Sequence, residues 1–176
     1  MNLNYLAQDI YGVIEEKGHH GIEHTHVETL TFRQLLHLVD EWTEMVNMRH
    51  HMQFRANTPQ EKAEARQRMY EEGADVLIVA FDLCSMHNVD LSEVAWESPY
   101  LGTIQDLLLN VPLLVGQMAN EYRKERTINQ EAMVKLLRSV GEILRRHGAN
   151  PLEAVEWKMA INAARPTRYG TKEVSS

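Results

Sequence analysis

Tyr70-Glu71-Glu72-Gly73-Ala74-Asp75-Val76-Leu77-Ile78-Val79-Ala80-Phe81-Asp82-Leu83-Cys84 is the stretch on which the fold turns. Its centre, Val76 to Val79, is rich in β-branched residues and, read alone, fits a strand as well as a helix. The flanks decide it. Tyr70-Glu71-Glu72 before the run and Asp82-Leu83-Cys84 after it favour a helix, predicted over Met69 to His87. Cys84 is the sole cysteine, so no intramolecular disulfide forms and the residue reads as a buried thiol in a reducing compartment.

Working outward, Gln53 to Arg68 is polar, and Thr58-Pro59-Gln60-Glu61 resembles a helix start with Thr58 as cap and Pro59 in the first turn. That start can extend the third helix upstream. The second helix is predicted over Thr31 to His51, with Thr31 as N-cap and Phe32, Leu35, Leu36, Val39, Trp42, Met45 and Val46 on one stripe. The first runs from Leu3 to Lys17 and closes at Gly18. Further helices are expected over Ile104 to Arg126, over Asn129 to His147 and from Pro151 onward. The fold class is therefore all-α, a helical bundle forming one domain over 1–176.

The second half echoes the first. His87-Asn88-Val89-Asp90 with Glu93 matches His147-Gly148-Ala149-Asn150 with Glu153, and Leu35-Leu36 with Val39 matches Leu107-Leu108 with Val111. A degenerate tandem repeat is expected, with halves 1–98 and 99–176.

The net charge of −7 argues against nonspecific affinity for nucleic acid, which depends on clustered cations meeting phosphates. No apolar run approaches the roughly 20 residues that span a bilayer, and the first residues lack the basic-then-apolar order of a signal peptide. A cytoplasmic protein without membrane partners is the expectation.

Chemistry concentrates in two acidic pairs. Carboxylates three residues apart on a helix lie about 60° apart around the axis and roughly 4.5 Å along it, so both can reach one ion. Glu41-Trp42-Thr43-Glu44 forms one pair on the second helix, and Glu72-Gly73-Ala74-Asp75 forms the other on the third. If those helices pack antiparallel, four acids converge. Crowded carboxylates repel unless cations intervene, and hard oxygen ligands select magnesium or manganese. Gly73 costs about 1 kcal/mol relative to alanine inside a helix, which points to close approach of a neighbouring helix.

Glu-x-x-Glu, a spacer and Glu-x-x-Asp resemble the signature of the all-α nucleoside triphosphate pyrophosphohydrolases, which include MazG proteins and dimeric dUTP pyrophosphatases. Near the end of the chain, Lys158-x-x-x-Asn162-x-x-Arg165-Pro166-x-Arg168-x-Gly170 resembles that family's closing motif. The resemblance implies a MazG-like bundle in which Glu41, Glu44, Glu72 and Asp75 hold magnesium or manganese and carry catalysis. Lys158, Asn162, Arg165 and Arg168 would bind substrate phosphates. The substrate implied is a nucleotide, a deoxynucleoside triphosphate by the family's habit, cleaved to the monophosphate and pyrophosphate.

One departure stands out. Short relatives pass directly from the helix after the second acidic pair into the tail, whereas about 60 residues intervene here. Under the repeat alignment the second copy offers Leu113 and Gly116 where the first has Glu41 and Glu44, so one active site is expected. The tail is then expected to act either in its own chain or across a homo-oligomer. The rival is a noncatalytic helical module that binds a nucleotide or a protein on the same scaffold.

Other signals carry less. His19, His20, His24 and His26 crowd one loop and His50-His51 close the second helix, but no cysteine accompanies them and they read as exposed side chains rather than zinc ligands. Trp42, beside the acids, is the one tryptophan placed to stack a base, although its apolar stripe fits core packing as well. Asp82, seven residues after Asp75 on the same face, reads either as a group that touches substrate or water or as a polar edge, with the polar edge favoured.

Overall fold

The ambiguous run folds as helix, and it lies at the centre of the molecule. Helix α3, Pro59–Met86, is continuous over 28 residues and begins with a capping box in which Thr58 and Glu61 bond each other's backbone N–H groups. From Gly73 to Cys84 every residue except Asp75 is buried. A helix buried all round needs neighbours on every side. Those are α1 (Leu3–Glu16), α2 (Val27–Phe54), α5 (Gln130–Arg146) and α6 (Pro151–Ala164). Helix α4, Ile104–Glu125, packs against α2 and α5. The structure, a computed structural model, describes residues 2–17, 26–92, 94, 96 and 102–164; among these every element is helical.

One core joins both halves of the chain, from Leu3 and Leu38 through Leu77 and Phe81 to Leu137 and Val155. Burying each such leucine or phenylalanine contributes about 1.5–3 kcal/mol, which outweighs the weak helix propensity of the β-branched residues in α3. Cys84 is 1% exposed, and burial pushes its thiol pKa up. No helix among the described residues is long and apolar enough to cross a membrane.

Helix α2 starts about one turn before the expected boundary, and Thr31 is not its cap. Leu30, Thr31 and Gln34 are buried on its inner face, so packing carries the helix past Thr31. The Thr31 hydroxyl donates to the Val27 carbonyl at 2.7 Å and lies 2.8 Å from His87 Nε2, which satisfies it inside the core.

Helices α3 and α5 end alike. In both, a histidine C-cap precedes a residue with positive φ, Asn88 at 52° and Gly148 at 94°. The paired bonds Val89 N to Cys84 O with Asn88 N to Ser85 O recur as Ala149 N to Leu144 O with Gly148 N to Arg145 O. Each is a Schellman motif. An aspartate or asparagine then accepts a bond from the backbone two residues on: Asp90 from Ser92 and Asn150 from Leu152.

Gly73 is where α5 meets α3. A Cβ there would lie 2.6 Å from Leu144 Cδ2 and 3.2 Å from Met45 Sδ, both in fully buried side chains. We therefore expect Gly73→Val to destabilise the protein by about 1–3 kcal/mol through overpacking. Urea unfolding checks this, and an unchanged midpoint would contradict the packing described.

Candidate metal centre

Helices α2 and α3 form the most extensive helix–helix packing among the described residues, and this sets their acidic faces together. Glu41 of α2 and Glu72 and Asp75 of α3 each offer a carboxylate oxygen, and these oxygens lie within 4.8 Å of one another. All three residues are half-buried at the edge of the core. Glu44 remains exposed and outside the trio, yet it lies near enough to raise the Glu72 pKa.

Trp42 is corrected by the packing. It is 6% exposed within the core, so its ring has no open face for a base. Its place on the stripe between Leu38 and Met45 turns it inward while Glu41 and Glu44 point out. Asp82 is not a polar edge either. It is fully buried and accepts a hydrogen bond from Gln34 Nε2 at 2.5 Å.

From α6, Lys158 reaches the acids. Its Nζ lies 2.5 Å from Asp75 Oδ2, and the residue is 8% exposed. Four residues on, Asn162 joins Lys158, Glu41 and Asp75 in lining a cleft of about 480 Å3 bounded by α1, α2, α3 and α6. Arg165 and Arg168 lie outside the described residues. So do His19, His20 and His24.

Several lining residues escaped the sequence reading. His37 Nε2 lies 2.7 Å from Glu41 Oε1, and this bond, with surrounding acids, raises the His37 pKa against the opposing effect of burial. A histidine one turn before Glu41 was the available signal. Arg33 and Gln34 line the cleft from α2, and Lys17 from the end of α1 donates to the Ala163 carbonyl at 2.9 Å. Val13, Ile14, Ile78 and Val79 make one wall apolar. Those contacts depend on how α1 docks, which no local motif encodes.

Burial pushes the Glu72 carboxyl up to about 7; Lys158 opposes this, while Asp75, Glu44 and Glu41 add to it. The donor set suits a small hard cation. Octahedral magnesium with bonds of about 2.1 Å has neighbouring ligand oxygens about 3 Å apart, and the trio's oxygens, within 4.8 Å of one another, are of that order. Comparison of the chain with protein-family models, with curated proteins and with solved structures returns no match.

The raised Glu72 pKa fixes a sign. The folded state holds that proton more tightly than the unfolded chain, so the stabilisation is complete below about 4.5 and is lost as pH rises towards about 7. In EDTA, Glu72→Gln should therefore melt higher than the wild type at pH 8, and the difference should shrink at pH 5. Asp75→Asn should melt lower, because it removes the carboxylate paired with a buried lysine. Equal melting of all three proteins at both pH values would show that the acids form only a solvated face.

Proposed function

We propose that this chain is a metal-dependent nucleoside triphosphate pyrophosphohydrolase of the MazG-like kind, cleaving between the α- and β-phosphates to give a monophosphate and pyrophosphate. One observation carries this reading: three carboxylates from two helices gather together, two of them, Glu41 and Asp75, line a cleft, and α6 brings Lys158 and Asn162 to that same cleft. An acidic cluster alone has many uses. An acidic cluster with a buried ammonium against it and an amide lining the same nucleotide-sized cleft suits a ligand that carries both negative charge and bound cations.

Glu41, Glu72 and Asp75 would hold magnesium or manganese. Such an ion, when bound, supplies positive charge to phosphate oxygens and lowers the pKa of water. The chain's own groups do the rest. His37 orients Glu41 through its hydrogen bond. Lys158 and Asn162 bind phosphate oxygens, with the ammonium offsetting charge as the leaving pyrophosphate departs. Arg165 and Arg168, next in sequence, would extend that contact along the polyphosphate. Glu44 adds negative charge near Glu72 and so strengthens the demand for cations. The apolar wall of Val13, Ile14, Ile78 and Val79 accommodates the nucleoside, with a deoxynucleotide the proposed substrate.

The matching ends of α3 and α5 support reading the chain as a degenerate tandem repeat. Its second copy, with Leu113 and Gly116 at the acid positions, provides scaffold and the phosphate-binding helix rather than a second centre.

A panel of ribo- and deoxynucleoside triphosphates with magnesium, assayed for pyrophosphate, tests the proposal. Monophosphate and pyrophosphate should appear in equal amounts and only with divalent metal. Glu41→Gln, Glu72→Gln and Asp75→Asn should each lower kcat about a hundredfold or more, and Lys158→Ala should raise KM or lower kcat with metal affinity less affected. Full turnover in EDTA, or release of orthophosphate alone, would refute it. Nucleotide binding without any turnover would favour the noncatalytic rival.

A further inference from the structure

Gln34 lies in the cleft wall of α2, 6% exposed, with the fully buried Asp82 behind it on α3. Its Nε2 donates to Asp82 Oδ2 at 2.5 Å. A carboxylate only accepts hydrogen bonds, so chemistry fixes which end of the amide turns inward. The oxygen is left for the cleft. Among the described residues Gln34 Oε1 takes part in no hydrogen bond, and it is not among the polar atoms sealed from solvent. The same cleft is lined by Val13, Ile14, Ile78 and Val79, which offer a flat ring apolar contact.

We propose that Gln34 is a specificity-determining residue whose Oε1 accepts a hydrogen bond from a ring or amino N–H of the bound base, with Asp82 as the positioning residue that locks the amide. This rests on the nucleotide reading of the cleft and names the group that reads the base. An acceptor held by a buried carboxylate cannot turn to offer its amino group instead. The wall therefore rewards a donor and penalises a ligand that leaves the oxygen dry and unpaired.

Methylation of the donor isolates the effect. Three pairs serve as probes: dUTP with 3-methyl-dUTP, dCTP with N4,N4-dimethyl-dCTP, and dATP with N6,N6-dimethyl-dATP. For the parent that binds best, methylation should weaken binding about tenfold or more, measured by calorimetry with calcium in place of magnesium. In kinetics the loss should fall mainly on KM. Asp82→Asn frees the amide to turn and should bring the ratio of parent to methylated ligand towards one. Gln34→Met, made in the Asp82→Asn background so that no buried carboxylate loses its donor, should do the same.

A purely structural role for the pair would weaken both members of a probe pair alike and leave their ratio unchanged. That result overturns the proposal, as does failure of all three parents to bind. A methylation penalty in binding that disappears in the variants, but without pyrophosphate release by the wild type, would refute the hydrolase and leave the role of Gln34 standing.

Discussion

Charge has to be carried to the edge of the most apolar helix in the molecule, and the pairing of Asp75 with Lys158 is how the fold does it. Asp75 interrupts a run that is otherwise buried from Gly73 to Cys84, and Lys158 of α6 meets it at 2.5 Å. Neither group is tolerable there alone, since a buried charge without a partner costs several kcal/mol. The pair ties α6 to α3 and makes α6 a wall of the cleft. Glu72 and Glu41 stand beside it, so the trio holds more carboxylates than the Lys158 ammonium can neutralise. That excess, kept half out of water, underlies the affinity for cations proposed here.

The fold was legible where local and long-range demands agree. Thr58-Pro59-Gln60-Glu61 specified a start and α3 begins there, because a capping box is satisfied within four residues. Thr31 misled because threonine serves as a cap when exposed and as a self-satisfied helical residue when buried. Only the packing of Leu30 and Gln34 decides between the two. Gly73 was readable as a close-approach position, though its partner, Leu144, lies 71 residues further on and is set by the tertiary fold.

The centre was partly legible for the same reason. Three of the four acids converge because the i, i+3 spacing places them on faces that α2 and α3 turn to each other. Glu44 is rotated towards solvent, and the one-dimensional pattern holds nothing that separates it from Glu41. Trp42 follows Glu41 in sequence but points about 100° away around the helix, into the core. Gln34 and Asp82 lie 48 residues apart and neither belongs to a motif. Their bond becomes visible only once α2 and α3 are set side by side.

The most direct test is a crystal structure with manganese and a deoxynucleoside triphosphate carrying an α,β-imido bridge, read by anomalous scattering. The expected result is manganese coordinated by Glu41, Glu72 and Asp75 together with phosphate oxygens, and Lys158 in contact with the polyphosphate. Manganese held by the phosphates alone, with the three carboxylates turned to solvent or the nucleotide bound outside the cleft, would contradict the proposed centre.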